Sequence, residues 1–580
     1  MKQFFKDYFA GQILHRLSGR RWFLHNDELP GYIIPEKYLE FSEKQDSEEI
    51  AAVPAIEEEN ASPTSLDAVK KSDDEKDIDE EDEEDEASKE TIANSKNLSK
   101  SEYIIVTWDG DDDPENPYNW PLYLKCIMAF QIAFLTVSVY MGSAIYTPGI
   151  EDIMQKFNIN LTLATLPLTM FVIGYGIGPI VFSPLSEHTK IGRTPIYVIT
   201  LFIFCMMQIP TALSTGIAGM SVLRLIAGFF ASPALSTGGA SYGDFISLPY
   251  FVCGLAAWSL GAVCGPAIGP LIGSVLVVRG GHNGYESWRW TFWFMALISS
   301  CFLFFIFTLP ETYTPYLLRR KAQRLRRLTG NNRIRSEAEI GAGEFSSLSA
   351  VVKKLLWRPI EITLKEPVVL LIDIYIALVY SIIYLFFESI PIVYQETKHF
   401  PLILMGVTYT SIVIGIILAG AVYIPYVYQI FTKKLILGTM VSPEVFLPAA
   451  IVGAALMPTR LFIFGWTASP DIHWFPPLIG IALFAAGAFI IFQTLFNYMA
   501  SSFKVEYLAS VFSSNAFFRS VSAGCFPLFG RALFHNLGSR KFPVGWGSSL
   551  LAFLSLGMLL IPVFFYLNGP KLRARSAYAY

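Results

Sequence analysis

From Pro121 onward the chain alternates between long apolar stretches and short breaks rich in polar residues, glycine and proline. Twelve apolar stretches are counted, at about 123–147, 164–184, 194–213, 217–238, 249–277, 290–309, 366–393, 406–429, 444–467, 474–498, 506–530 and 546–567. Each approaches or exceeds the ~20 residues that a helix needs to cross ~30 Å of hydrocarbon. The longest break, about 310–365, separates six stretches from six. The pattern predicts an all-α integral membrane protein of twelve transmembrane helices in two six-helix halves. Phe171-Val172-Ile173-Gly174 in the second stretch echoes Ile412-Val413-Ile414-Gly415 in the eighth, as paired halves around a midplane site would.

The N-terminal part follows a different pattern. Between Lys71 and Glu90 there are 13 Asp and Glu. Such a like-charged block cannot bury enough surface to fold, so 41–105 is read as an acidic disordered segment. A plain solvated tail and a docking strip for a basic partner are the two uses open to it. Residues 1–40 carry Arg16, Arg20, Arg21, Trp22 and Phe23, but no long apolar core and no small-residue cleavage site. They are therefore a cytosolic segment with a possible interfacial helix, not a signal peptide. The expected organisation is completed by a pre-membrane segment at 106–122, an N-terminal half at 123–309, a basic central loop at 310–365, a C-terminal half at 366–568 and a tail at 569–580.

Composition sharpens this picture. The 580 residues are 53% hydrophobic and only 16% charged, against ~25% charged in soluble domains. Residues 1–120 hold 32 acidic and 13 basic side chains, and the remainder 17 and 31. The overall charge of −5 describes neither part. A soluble enzyme, a secreted disulfide protein and a nucleic-acid binder are set aside. Six cysteines without a CxxC, seven histidines without ligand spacing and no GxxxxGK[ST] loop point to no metal, no cofactor and no direct ATP drive. Basic residues at His188–Arg193, Arg319–Arg327, Lys433/Lys434, Lys504 and Lys571–Arg575 fall on one side, which the positive-inside rule makes cytosolic together with both termini. Arg531, Arg540 and Lys541 depart from the rule mildly. Of three glycosylation triplets, only Asn160-Leu161-Thr162 lies on the outer side, close to the membrane; those at Asn60 and Asn97 lie inside.

Polar groups inside lipid are costly and are functional candidates by default. Arg224 lies several residues inside the fourth stretch, where its guanidinium must face a cavity, meet a partner or reach for the interface. Asp373, Tyr380, Tyr384 and Glu388 are 7, 4 and 4 apart in the seventh and share one helix stripe. A carboxyl at Glu388, set in Leu385-Phe386-Phe387-Glu388-Ser389-Ile390-Pro391, can exchange a proton near neutral pH; water at the outer interface is the alternative environment. Asp373 sits nearer the inner end. Gln493 and Asn497 share a face of the tenth stretch, as do Asn515 and Arg519 of the eleventh; with Gln131 they either line a cavity or tie helices together. Phe386, Phe387, Phe492, Phe496 and Phe517 either line an apolar pocket or fill the core. Gly261, Gly265, Gly269 and Gly273, four apart with Pro266 and Pro270 among them, make a groove in which another helix can approach closely and a helix that can bend.

Taken together, these residues resemble the major facilitator superfamily, and most of all its fungal twelve-span drug:proton antiporters, the multidrug and fluconazole-resistance exporters of yeasts. The resemblance covers about 105–575. Its most specific part is Trp108-Asp109-Gly110 followed by Pro114-Glu115-Asn116-Pro117 and Asn119-Trp120. Ser183 to Arg193 is similar to the superfamily's cytosolic gating motif, with Ser183 for a glycine, Glu187 for an aspartate and two extra residues before Gly192-Arg193. Leu223-Arg224-Leu225 and Gly228 look like the fourth-span proton-coupling motif, and the Gly261–Gly273 series like the antiporter motif, which implies export. The resemblance makes Glu187, Arg193 and Asp244 a cytosolic gate. Trp288–Trp293, Leu309–Thr312 and Phe518–Gly530 resemble the sixth-span entrance, its exit and the eleventh span.

The resulting expectation is a secondary transporter, not an enzyme. It would export small hydrophobic toxic compounds such as azoles by alternating access, driven by protons through Glu388, Asp373 and Arg224. It is expected to be monomeric in the plasma membrane, with drug-like molecules, protons and lipid as its only partners and no nucleic acid. The alternatives are a narrow exporter of polyamines or organic acids, and a membrane sensor whose acidic segment signals.

Overall fold

A computed structural model describes residues 103–281, 285–341, 359–439 and 441–576, with Trp357, Tyr578 and scattered residues between Tyr8 and Leu39. The acidic block, the interfacial-helix residues Arg16, Arg20–Phe23, and the triplets at Asn60 and Asn97 lie outside the described residues.

The helices follow the apolar stretches. Span 1 is Leu122–Ala144, span 2 Leu161–Ser186, span 3 Thr194–Ala212, span 4 Ile217–Phe245, span 5 Leu248–Arg279 and span 6 Arg289–Ile306. Span 7 is Pro367–Pro391, span 8 Leu402–Ile436, span 9 Leu447–Thr467, span 10 Phe475–Ser502, span 11 Val505–Leu537 and span 12 Gly545–Ala574. Among the described residues, eleven of these are long and apolar enough to cross a membrane. Span 11, with 33 residues, has the length but carries Asn515, Arg519 and Arg531. Span 4 breaks at Ser232, where Pro233 brings no backbone donor, although Ser232 keeps helical angles of φ −60° and ψ −34°. Successive spans alternate in direction. One face therefore gathers the described N-terminal residues, the 310–341 connection and the last helix, and is here called the terminal face.

Close packing rests on small residues, as it must where lipid supplies no hydrophobic drive between helices. The echo between the second and eighth stretches marks equivalent seats. A Cβ on Gly174 would overlap the Leu225 carbonyl of span 4, and one on Gly415 would overlap the Ala482 carbonyl of span 10. The halves meet where span 2 runs along span 11 and span 5 along span 8.

On the terminal face the structure corrects one boundary. The acidic segment does not extend to 105, because Ile104–Ile105 (β1) pair in parallel with Ile334–Arg335 (β2) of the central connection. The connection itself is not a loop throughout. Thr314–Thr329 is a helix ended by Gly330 at φ 72°, a left-handed cap that glycine adopts without strain.

Candidate functional site

The polar residues of the apolar spans gather into a spine that crosses from one half to the other. It begins at Arg224, fully buried in span 4, whose Nη2 donates to the Ser143 carbonyl of span 1 at 2.8 Å. Its guanidinium otherwise lies over aromatic rings: Phe171 at 4.1 Å, Tyr146 at 5.4 Å and Phe292 at 5.5 Å. Among the described residues its Nε and Nη1 have no hydrogen-bond partner. The Ser143 hydroxyl accepts from Tyr384 of span 7 at 3.5 Å. The Tyr175 hydroxyl of span 2 then sits 3.0 Å from both the Tyr380 and Tyr384 hydroxyls. Arg519 of span 11 covers the Tyr380 ring at 4.9 Å and the Phe496 ring at 5.7 Å. Asp373, Tyr380, Tyr384 and Glu388 all lie on the continuous helix of span 7 and are buried, as is nearly all of that helix.

The two span-7 carboxylates have different surroundings. Asp373 accepts from Asn515 Nδ2 at 2.7 Å and Ser514 Oγ at 3.1 Å. It is fully buried, not open to the inner interface. Glu388 packs its stem on Gly530 of span 11, where an added Cβ would lie 3.3 Å from Glu388 Cγ. Among the described residues its carboxylate makes no hydrogen bond or ion pair. Asp373 is held by two donors in its charged form, whereas protonating Glu388 breaks no such bond.

Halves touch on either side of this spine. Towards the terminal face Gln493 donates to Ser259 Oγ, and Thr432 Oγ1 donates to the Pro249 carbonyl at 2.7 Å. Towards the opposite face Thr169 Oγ1 donates to the Gly524 carbonyl at 2.7 Å, and Gln395 Nε2 to Glu151 at 3.1 Å.

Other sequence candidates are placed elsewhere. Gln131 donates to Thr308 Oγ1 at 3.0 Å, within the N-terminal half and away from the spine. Asn497 donates to Tyr423 at 3.1 Å, tying spans 10 and 8. Phe492 stands edge-on to Tyr380 at 5.8 Å and stacks on Phe496 at 6.2 Å, so both belong to the spine's apolar wall. Phe386 packs against Phe464 and Phe484 inside the C-terminal half instead.

The loop after span 2 forms a second cluster on the terminal face. Arg193 grips Asp244 through Nε at 2.6 Å and Nη2 at 3.1 Å, and Thr312 adds a hydroxyl to Asp244 at 2.8 Å. Glu187 is not a third ion-pair member: among the described residues no cation lies within 4 Å of it. Burial pushes its carboxyl above the usual range, only partly offset by Arg193. The acid that completes the cluster is Glu311, which accepts from the backbone N–H groups of Arg193, Thr194, Thr312 and Tyr313 at 3.0–3.1 Å. Its burial raises its carboxyl's affinity for a proton, and those backbone donors oppose the rise. Gly192 is needed here twice over, at φ 81° and with an added Cβ only 2.5 Å from Glu311 Oε2.

Sequence reasoning missed Tyr175, because tyrosine is unremarkable in an apolar run, and used Glu311 only as part of a resemblance. Arg460, buried in span 9 against Gly487, carried the same signal as Arg224 and was overlooked. The glycine series of span 5 faces span 1, with Gly265 over Tyr140 and Gly269 over the Met141 carbonyl. The far side of span 5 meets the C-terminal half, where Ser274 fills the space beside Gly406.

Comparison with known proteins agrees with this architecture. The Major Facilitator Superfamily profile matches residues 132–527. The chain is 65% identical over 581 residues to the cycloheximide resistance protein of Candida maltosa, covering all of both chains. It is 41% identical to fluconazole resistance protein 1 of Saccharomyces cerevisiae, over 84% of this chain and 87% of that one. A partially occluded inward-open structure of the Escherichia coli xylose transporter XylE superposes with a TM-score of 0.53 at 14% identity, over 76% of this chain and 99% of that one. The chain belongs to the Major Facilitator Superfamily, within its fungal drug-resistance transporters.

Proposed function

We propose that the protein is a proton-driven exporter of small, mostly hydrophobic toxic compounds at the plasma membrane, with the terminal face in the cytosol. The observation that carries this reading is the Tyr175 hydroxyl bridging Tyr380 and Tyr384 between the halves, in line with a buried guanidinium, Arg224, whose Nε and Nη1 have no hydrogen-bond partner among the described residues. Alternating access needs contacts between the halves that can break on one side and hold on the other. The spine supplies the hinge region, and the two flanking sets of contacts supply what is exchanged. Spine side chains supply few fixed polar groups beside many rings, which selects by size and hydrophobicity. Relatives are named for resistance to cycloheximide and fluconazole, compounds that differ widely in shape.

In the cycle, a proton from outside neutralises Glu388, which has no bond to lose. The charged groups that act on Glu388 are Arg531 and Glu396, and Arg224 lies beyond Tyr146. Loss of the carboxylate charge lets span 7 move against span 2 and releases substrate outward. Deprotonation towards the cytosol resets it. Arg193, Asp244 and Glu311 all belong to the N-terminal half and its exit, so they stiffen the cytosolic rim on which the other half closes. Asp373, held by Asn515 and Ser514, anchors span 7 to span 11.

The test is fluconazole and cycloheximide efflux from proteoliposomes with and without an imposed pH gradient. Wild type should respond to the gradient. Glu388→Gln and Arg224→Ala should retain substrate exchange but lose the response, and Asp373→Asn should weaken both. Gradient-independent wild-type transport would overturn proton coupling, and absence of any transport would overturn drug export.

A further inference from the structure

We propose that the segment preceding span 1 and the central connection form a charge clasp on the terminal face, so that the connection's first part moves with the N-terminal half. The sequence presents a basic loop far in the chain from an acidic stretch. The structure pairs cations of that loop with carboxylates on either side of the acidic stretch. Lys321 Nζ meets Asp109 at 2.8 Å and Asp113 at 3.4 Å, and Arg324 meets Asp27 at 2.6 Å and Glu115 at 3.1 Å. The Lys321 and Asp27 side chains are each only 2% exposed. Asp113 is held ready by the Asp109 and Glu115 backbone N–H groups, each at 2.9 Å. Removing one member of such a buried pair strands the other charge, so the network stands or falls together.

Around the ions is a small core separate from that of the spans: Tyr38, Val106, Ala322, Leu325 and Ile334. Strand pairing closes it, with Ile104 N donating to the Arg333 carbonyl at 3.0 Å and Val106 N to the Arg335 carbonyl at 2.9 Å. The clasp is fastened to the N-terminal half where Tyr118 donates to the Gly243 carbonyl at 2.7 Å, and Tyr8 bridges Pro310 at the start of the connection. Lys37 Nζ reaches Thr107 Oγ1 at 2.9 Å although the two are 70 positions apart, and Tyr32 donates to Asp109 at 2.9 Å. Among the described residues before Leu39, Asp27, Tyr32, Lys37 and Tyr38 are part of the clasp.

Amide hydrogen exchange on the full-length protein in lipid nanodiscs tests this. In the wild type, peptides covering 103–108 and 333–336 should both exchange slowly. Arg324→Glu should speed both by about tenfold or more while span peptides stay protected. Asp27→Arg combined with Arg324→Asp should restore part of the protection. Should Arg324→Glu fail to fold, Val106→Pro removes one strand donor and should release both peptides together. Fast exchange in the wild type, or release of one peptide without the other, would overturn the proposal.

Discussion

Alanine placed along the span 5 glycine series should destabilise the protein in a graded order that its geometry sets. At Gly261 the new methyl meets Val137 Cγ2 at 3.1 Å and the Ala133 carbonyl at 3.2 Å, a contact that a side chain and a small shift can absorb. At Gly265 it lies 2.6 Å from Tyr140 Cβ, and at Gly269 2.7 Å from the Met141 carbonyl oxygen. At Gly273 it overlaps the Ile145 carbonyl, and backbone cannot yield as a side chain does. Replacing glycine by alanine within a helix gains about 1 kcal/mol in propensity. Overpacking costs about 1–3 kcal/mol. The balance is near zero at Gly261, about 1 kcal/mol of destabilisation at Gly265 and Gly269, and about 2 kcal/mol at Gly273. The last is more than a tenfold change in the folded population. Thermal unfolding of the purified protein in detergent, followed by tryptophan fluorescence, reads the order. Transport should fall in the same order, since a span 5 pushed off span 1 presses on Gly406 and span 8. Equal effects at Gly261 and Gly273, or a Gly273→Ala protein as stable as wild type, would refute the argument from close approach.

Other substitutions follow from the same geometry. Tyr175→Phe removes both bridging hydroxyl contacts, each worth about 1 kcal/mol, and should alter transport rate non-additively with Tyr384→Phe in a double-mutant cycle; additive effects would deny the bridge. Glu311→Gln keeps the shape but replaces an ionised acceptor of several backbone N–H groups, and should lower thermal stability by about 1–3 kcal/mol with the Arg193–Asp244 pair intact; an unchanged unfolding midpoint would count against it. Burial, aided by Arg324 and Arg320 and opposed by Glu115, pushes the His25 imidazole down to about 4 from 6.5, beside the His15 ring. Its stabilising contribution is thus whole above pH 6.5 and lost as pH falls towards 4, up to about 3 kcal/mol, while Asp27, raised by burial, acts in the opposite sense at the acid end. Exchange rates of the clasp peptides, corrected for intrinsic pH dependence, should rise over that window in wild type and stay flatter in His25→Leu.

The sequence makes the membrane architecture legible because one physical term dominates it. A helix in lipid must be long, apolar and internally bonded, so length and hydropathy alone locate the spans, although spans 4, 8, 11 and 12 each run seven residues past the expected end. Polar outliers such as Arg224, Asp373 and Glu388 stand out for the same reason. What each outlier touches is another matter. Gln131 and Gln493 look alike in the sequence, yet one meets Thr308 inside a half and the other meets Ser259 across the halves. Helix spacing fixes which face a residue shares, but the rotation of each helix in the bundle is set by packing of small residues at distant positions. Charge in the connection is less legible still. A run of arginines outside the membrane reads as solvated, and only the folding of the chain brings Asp27 and Asp113 to Arg324 and Lys321, 297 and 208 positions away. Local chemistry on the terminal face is therefore decided by long-range topology, whereas inside the membrane it is decided by the cost of leaving any polar group alone. That difference explains why Glu187, equivalent to a motif acid by sequence, yields its place to Glu311: the backbone N–H groups at the Arg193 turn point towards the exit of span 6, and the acid that sits there takes them.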